Sequence, residues 1–188
     1  MTSTREKILK ATFLLMLEKG YDNILVSDIQ HQLGISRGLL YRYFKGKSEL
    51  IFCACSEFFY NRFFDENIDY SQITLRQFLD YAFVAMRRFT NIDGHEVPML
   101  KYNTLYSAML QTNRKFAAEA LVEFGKARAV IDNAMRRGEI KTLPDNFVGG
   151  TILAIFGRTS YITEPPSNEY VCKRIVEDIN RFYDLIKK

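Results

Sequence analysis

Residues 35–50, ISRGLLYRYFKGKSEL, place four basic and three aromatic side chains in one short window. The hydroxyl of Ser36 is suited to cap a helix that runs to Phe44, because a capping hydroxyl accepts a hydrogen bond from a free N–H of the first helical turn. On that helix Leu40 and Phe44 are four residues apart, so both are predicted to face inward. The predicted outward face is basic and aromatic, and it carries Arg37, Arg42 and Tyr43.

A second short helix is predicted just before this window, over residues 26–33, with Gly34 ending it. Two short helices joined by a tight turn match what a helix-turn-helix requires, in which the first helix braces the second and the second lies in the major groove of DNA. Gly38 removes a side chain near the start of the second helix and permits close approach to a duplex. Lys47 falls in the first turn of the next helix, where free N–H groups and the helix dipole favour a phosphate.

The rest of the chain shows helical periodicity, and no convincing run alternates apolar and polar residues. In the first predicted helix, helical spacing (i, i+3, i+4, i+7) relates Ile8, Ala11, Thr12 and Leu15, and the helix ends at Gly20. Further helices are predicted at about 47–64, 74–90, 99–110, 115–137 and 147–162, and along a last apolar stripe made of Val171, Ile175, Ile179, Phe182 and Ile186. We therefore predict an all-α fold of about nine helices, with a three-helix N-terminal module and a helical C-terminal domain.

The positive charge is concentrated near the N-terminus. The chain has a formal net charge of +4, and its first 50 residues hold eight Lys and Arg against five Asp and Glu. Such an asymmetry is expected of a domain that meets a polyanion, although alone it is weak support.

Several other classes of protein are disfavoured. Cys53, Cys55 and Cys172 are odd in number and lack Cys-x-x-Cys spacing, so neither a disulfide framework nor a metal site is predicted. With two histidines, no nucleophile motif and no Gly-rich phosphate loop, we expect no enzyme and no cofactor. No secretory signal and no apolar run of membrane-spanning length is present, and free thiols suit a reducing compartment, so a cytoplasmic protein that does not enter a membrane is expected.

The N-terminal segment resembles the DNA-binding module of the tetracycline-repressor (TetR) family. The resemblance covers about the first quarter of the chain. The positions that match the family pattern are Ile8, Leu9, Ala11, Gly20, Tyr21, Asp28, Ile29, Gly34, Ile35, Ser36, Gly38, Leu40, Tyr41, Phe44, Lys47 and Leu50.

The resemblance implies specific DNA contacts. Ser36, Tyr41, Tyr43 and Lys47 would hold phosphates, and the candidates for base edges are Arg37, Leu39 and Arg42. Three positions depart from the family pattern. Leu25 stands where a Thr or Ser that caps the second helix is common. We therefore expect either that Asn23 supplies the cap or that this helix begins one turn later, at Ser27. Gln30 replaces a small Ala, and Leu39 replaces a Thr that often contacts DNA, offering apolar contact instead of a hydroxyl.

The resemblance also divides the chain into a DNA-binding domain, residues 1–47, and an effector-binding and dimerisation domain, residues 48–188. Two half-sites about 34 Å apart need two recognition helices, so a homodimer is expected. The last two helices would form half of an intersubunit four-helix bundle. Its candidate interface residues are Gly150, Ile152, Ala154, Ile155, Gly157, Ile175, Ile179 and Phe182. The alternative is that both stripes face only the core of their own subunit.

The middle helices would then hold a small-molecule effector, with an apolar or aromatic compound as the natural candidate. The candidate lining residues are Phe59, Phe63, Tyr81, Tyr102, Tyr106 and Phe124. Each of them could instead be simple core. Arg87, Arg88 and Arg128 could meet an anionic group of the ligand, or remain solvated.

Taken together, these features predict a homodimeric regulator that binds a palindromic operator in double-stranded DNA and, as a repressor, is released by a small molecule. Two alternatives remain open. One is an architectural DNA-binding protein without an effector. The other is a ligand-binding or catalytic protein that has lost DNA binding.

Overall fold

The computed structural model describes residues 3–158 and 167–188, and within these ranges the chain forms nine α-helices. The helices are α1 Thr4–Lys19, α2 Val26–Leu33, α3 Arg37–Tyr43, α4 Lys47–Ser56, α5 Leu75–Phe89, α6 Met99–Thr112, α7 Arg114–Arg136, α8 Phe147–Gly157 and α9 Asn168–Ile186. The predicted all-α fold with a three-helix N-terminal module is confirmed. The helix end predicted near Ile162 lies outside the described residues.

Helix α1 begins at a reciprocal cap. The backbone N–H of Glu6 donates to the Ser3 hydroxyl at 3.2 Å, and the N–H of Ser3 donates to the Glu6 carboxylate at 2.7 Å, so two otherwise free donors are satisfied. Eight residues of the helix are buried, among them Ile8 and Phe13 at 0% exposure. Helix α1 packs against α2 and α4 and so forms the centre of the N-terminal module.

The N-terminus of α2 differs from the predicted one. The helix begins at Val26, directly after Leu25, and neither Asn23 nor Ser27 caps it. Instead the Asp28 carboxylate accepts a hydrogen bond from the Leu25 N–H at 3.0 Å, and Lys19 lies 3.0 Å from the same carboxylate. The backbone N–H of Leu25, followed by the Lys19 ammonium, lowers the pKa of Asp28 below its usual value. The Asp28 carboxylate thus holds the backbone just before the helix, while the first N–H groups of α2 have no side-chain cap.

The chain divides into two compact units. The first unit contains residues 3–62 and 104–120, and the second contains residues 63–103, 121–158 and 167–188. Helices α6 and α7 are each shared between the two. We predicted from the sequence that residues 1–47 bind DNA and that residues 48–188 bind the effector and form the dimer. This functional division stays a prediction.

The core of the first unit is aromatic. One π-helical turn, Glu57–Asn61, follows α4 directly. It brings three consecutive aromatic residues, Phe58, Phe59 and Tyr60, to at most 5% exposure. Phe58 stacks on Phe13 with ring centres 4.6 Å apart, and Tyr60 stacks on Phe116 at 4.8 Å. Each such pair adds about 0.5–1.5 kcal/mol beyond the apolar area it buries. The long helix predicted over about 47–64 is thus an α-helix to Ser56 and a π-helical turn to Asn61.

In the second unit one carboxylate joins two helices to the segment that follows α7. Glu139 accepts hydrogen bonds from the backbone N–H groups of Leu75 and Arg76, both at 3.0 Å, and from the Tyr183 hydroxyl at 3.0 Å. The first two donors lie in the first turn of α5, where N–H groups have no partner within the helix. The carboxylate thus joins the start of α5 to the residues after α7 and to α9.

A small β-hairpin occupies part of the predicted loop between α5 and α6. Its strands are β1 Asn91–Ile92 and β2 His95–Glu96, which pair antiparallel. Asp93 and Gly94 connect them with φ of 50° and 85°. Two successive residues with positive φ suit the tight turn that matches strand twist. No described helix is long and apolar enough to cross a membrane.

Candidate nucleic-acid interface

The turn between α2 and α3 is built by backbone conformation. Gly34 has φ 63° and ψ 33°, the left-handed region that residues with a Cβ adopt at a cost. The next N–H, that of Ile35, donates to the carbonyl of Gln30 at 3.1 Å and closes the end of α2. Ser36 then starts α3, because its hydroxyl accepts from the Leu39 N–H at 3.2 Å. The predicted cap at Ser36 is confirmed.

The two faces of α3 differ as the spacing predicts. Leu40 and Phe44 are 0% and 2% exposed and hold the helix to its own module. Tyr41 and Tyr43 remain 38% and 42% exposed, large values for aromatic side chains. Leu39 is half-buried. The remaining exposed positions of the helix and its cap are Ser36, Arg37, Gly38 and Arg42.

Within the exposed face, Arg37 and Tyr41 contact each other. The Arg37 guanidinium carbon lies 5.5 Å from the centre of the Tyr41 ring, one helical turn away. A cation over a ring face is attracted by the ring quadrupole. The pair keeps a positive group and a hydroxyl on one side of α3.

The start of α4 adds a second group of donors beside α3. Gly46 precedes the helix and gives it no side-chain cap, so the first N–H groups of α4 are left for solvent or a ligand. Lys47, the first residue of α4, is half-buried. An anion at this position would meet both the N–H groups and the positive end of the helix dipole.

Arg5 lies beside the end of α3, although no local feature of the sequence predicts this contact. Its guanidinium carbon lies 5.5 Å from the centre of the Phe44 ring, at the end of α3. The residues are 39 positions apart, so only the packing of α1 in the module brings them together. Arg5 is exposed and adds a further positive charge there.

The charge of the molecule is divided unequally between the two units. The first unit has 11 Lys and Arg against 7 Asp and Glu, so it carries the whole net charge of +4. The second has 15 of each. A basic unit with an exposed helix of arginines and tyrosines suits a polyanion.

The six predicted lining residues fall into two aromatic clusters, one in each unit. Phe59 and Tyr106 belong to the first unit, with ring centres 5.1 Å apart. Phe63, Tyr81, Tyr102 and Phe124 belong to the second. There Phe63 and Tyr102 both stack on Phe89, at 5.6 and 5.2 Å. The Tyr81 hydroxyl donates to the carbonyl of Phe63 at 2.6 Å.

The residues predicted at the dimer interface differ in their exposure to solvent within the single chain. On α8, Gly150 and Ala154 are exposed, whereas Ile152, Ile155 and Gly157 are half-buried. On α9, Ile175 and Ile179 are 2% and 0% exposed within a single chain, as the alternative of a core stripe requires, and Phe182 is half-buried. Two exposed residues of α8 were missed in the sequence, Phe147 at 49% and Leu153 at 54%.

The three thiols are free, and burial raises the pKa of each of them. A thiol with a raised pKa holds little thiolate at neutral pH and is a weak nucleophile. Among the described residues no group of three or more His, Cys, Asp and Glu side chains could hold a metal ion.

This geometry defines a class of protein: a helix-turn-helix module with an exposed basic recognition helix, followed by a helical domain. Residues 8–52 match the family model described as bacterial regulatory proteins, tetR family. The matched segment, about a quarter of the chain, therefore carries the N-terminal DNA-binding module that the tetR family model describes.

Individual proteins give two further likenesses, one in sequence and one in fold. An uncharacterized HTH-type transcriptional regulator, YerO of Bacillus subtilis (strain 168), is 34% identical over 55 residues, a match that spans 29% of this chain and 19% of that relative. The ketosteroid transcriptional regulator KstR2 of Mycobacterium tuberculosis has a TM-score of 0.69 at 17% identity, covering 100% of this chain and 97% of the other. A TetR family transcription regulator from Marinobacter aquaeolei VT8 has a TM-score of 0.66 at 16% identity, covering 98% and 95%. At these identities the solved structures show a shared fold.

Proposed function

We propose that the protein is a homodimeric repressor that binds a palindromic operator in double-stranded DNA and is released from it by a small molecule. The observation that carries the proposal is the two-sided character of α3, with Leu40 and Phe44 buried and Arg37, Tyr41, Arg42 and Tyr43 exposed. Operator DNA of a bacterium lies in the cytoplasm, so the protein acts there.

The contacts with DNA divide into two kinds. The hydroxyl groups of Ser36, Tyr41 and Tyr43 and the Lys47 ammonium hold phosphates, which fixes the register of the module. Arg37 and Arg42 are the candidates for guanine edges in the major groove, and Leu39 for the methyl group of thymine. Gly38 lets the backbone of α3 approach the duplex.

The dimer uses the exposed face of α8. Phe147, Gly150, Leu153 and Ala154 share one side of that helix and are all exposed. Small residues among large apolar ones permit close packing of a second helix. Phe182 of α9 lies beside this face, with its ring centre 6.3 Å from that of Phe147. Ile152, Ile155 and Gly157 of α8 support the face from its half-buried side.

Release by a ligand requires that the ligand favour one conformation over another, since equal affinity for both shifts nothing. Helix α4 begins at Lys47 and continues into the π-helical turn, so it joins the DNA-binding surface to an aromatic cluster of the first unit. A ligand that moves α4 changes the separation of the two α3 helices in a dimer. The aromatic side chains of both clusters favour an aromatic or apolar ligand.

Selection of binding sites from random duplex DNA tests the proposal. A palindromic consensus with half-sites about one helical turn apart supports the repressor. Binding without sequence preference supports an architectural protein instead. Failure to bind any duplex at physiological salt supports a ligand-binding or catalytic protein. Mass spectrometry of small molecules retained by the purified protein then supplies candidates to add to the protein–DNA complex.

A further inference from the structure

An apolar face of α7 is left uncovered in the single chain. Leu121 and Val122 are 81% and 69% exposed, and Gly125 and Ala129, which follow on the same side, are exposed as well. With 3.6 residues per turn, these four positions fall within about 100° of the helix circumference. Val130, on the opposite side, is fully buried. We call the four exposed positions the α7 face. Large apolar side chains grouped in this way mark contact with another molecule.

The α7 face adjoins the α8 face, by which we mean Phe147, Gly150, Leu153 and Ala154. Both faces belong to the second unit. At the C-terminal end of the α7 face, the Arg128 guanidinium donates to the Asp145 carboxylate at 2.7 Å, two residues before α8 begins. Within α8, the backbone of Gly149 lies against Ile131 of α7, because a Cβ at Gly149 would be 3.7 Å from Cδ1 of Ile131. The end of the α7 face therefore lies beside the start of the α8 face.

The α8 face alone is small for a stable dimer. An interface of standard size buries about 800 Å² on each partner, and about 65% of a homodimer interface is apolar, which requires roughly 500 Å² of apolar surface. Phe147 and Leu153, each about half exposed, together offer roughly 200 Å². Leu121 and Val122 are more exposed and together offer about as much again. The two faces together therefore come close to the requirement.

The exposed side of α9 does not supply the missing apolar area. Lys173, Arg181 and Asp184 are exposed on this helix. Tyr170 and Leu185 are exposed too, at 53% and 70%, but they lie at opposite ends of α9. Charged side chains suit the polar rim of an interface, whereas its buried centre is depleted of them.

We propose that the α7 face packs against a second copy of the chain, in one interface with the α8 face. The inference rests on the proposed function, because it names a further part of the dimer that the repressor requires. In a dimer with two-fold symmetry the same face of both copies is buried, so Leu121 and Val122 are removed from water in each subunit. Gly125 and Ala129 have little or no side chain and let a helix of the second copy approach the backbone of α7 closely.

Alkylation of an introduced thiol tests whether the α7 face is covered in the dimer. Val122→Cys and Val84→Cys each place a thiol at a position that is exposed in the single chain, at 69% and 55%. Mass spectrometry of peptides follows the reaction with iodoacetamide and separates the new thiol from the three native ones. Because the reaction requires access to the thiol, we expect Val122→Cys to react at least about tenfold more slowly than Val84→Cys in the dimer. Equal rates would overturn the assignment.

A charge on the α7 face should weaken the dimer. Leu121→Glu places a carboxylate from each subunit among apolar groups, so sedimentation equilibrium should give a dissociation constant at least about tenfold larger. Val84→Glu, on α5, is the matched control and should leave the constant unchanged. A Leu121→Glu dimer as tight as that of Val84→Glu would also contradict the assignment. Thermal unfolding of each variant identifies any that fails to fold, in which case the labelling of Val122→Cys decides.

Failure of this assignment is distinguishable from failure of the proposed function. If the unchanged protein sediments as a monomer, the homodimeric repressor is contradicted, and the α7 face has no second copy to bind. A dimer in which Val122→Cys is labelled freely contradicts only the role of the α7 face. In that case the α8 face and operator binding remain, and the α7 face is left to a different partner.

Discussion

The guanidinium of Arg37 lies over the ring of Tyr41, one turn away on the exposed face of α3. The contact positions a candidate for base contacts beside a candidate for phosphate contacts. The Tyr41→Phe variant keeps the ring beneath Arg37 and removes only the hydroxyl. We expect it to weaken binding to operator and unrelated duplexes alike, with an unchanged consensus in site selection. A change of consensus would place Tyr41 among the base contacts.

The charge of Lys47 should be visible in the salt dependence of binding. Because each phosphate contact releases about one counterion, Lys47→Ala should weaken binding to all sequences and reduce the slope of log affinity against log salt by about one. Binding titrations at several salt concentrations measure this. Lys101→Ala, which removes one exposed positive charge from α6, is the control. An unchanged slope for Lys47→Ala would remove Lys47 from the contacts.

Leu39 should set the base preference at one position of each half-site. Leu39→Thr replaces an apolar group with a hydroxyl and a methyl group, which can satisfy different base edges. We expect site selection with this variant to change the consensus at one position per half-site and to keep the palindrome. An identical consensus would show that Leu39 does not contact bases.

The exposed face of α8 should be required for dimerisation. Leu153→Glu places a charge on that face and should yield monomers in sedimentation experiments, with weaker operator binding. Val84→Glu is a matched control on α5, because Val84 is 55% exposed and Leu153 is 54% exposed. A Leu153→Glu protein that remains dimeric would place the interface elsewhere.

The carboxylate of Asp28 should contribute to acid sensitivity. Its pKa is lowered in the folded protein, so its contribution to stability is present above the ordinary carboxyl pKa and is lost as the pH falls through the folded value. Denaturant unfolding between about pH 5 and pH 2 should therefore show a smaller loss of stability in Asp28→Asn than in the unchanged protein. Asp22→Asn, at an exposed position before α2, should follow the unchanged protein.

The helix-turn-helix could be predicted from sequence because its signals are local. Gly34, Ser36 and the four-residue spacing of Leu40 and Phe44 each act within one or two helical turns. The start of α2 was predicted less well because no side chain caps its first N–H groups, and Asp28 instead accepts a hydrogen bond from the N–H of Leu25 before the helix. Arg5 was missed because its neighbour Phe44 is distant in sequence.

The C-terminal part was less predictable for the same physical reason. An apolar stripe does not reveal which helix covers it, so the sequence left open whether Ile175 and Ile179 face a second subunit or their own core; both are buried within the single chain. Aromatic composition likewise did not reveal that Phe59 and Phe63 belong to different units.

The π-helical turn at Glu57–Asn61 has a consequence for how related chains can vary in length. A π turn is an α-helix into which one residue has been inserted. The wider turn absorbs the extra residue, so deleting one residue there would restore continuous α-helix with the helix before and after it still in register. The remaining residues of the turn would lie about 100° apart around the axis, so Phe58, Phe59 and Tyr60 could not all keep their present directions. A single-residue deletion in this turn should therefore disturb the aromatic core as much as replacing one of its rings.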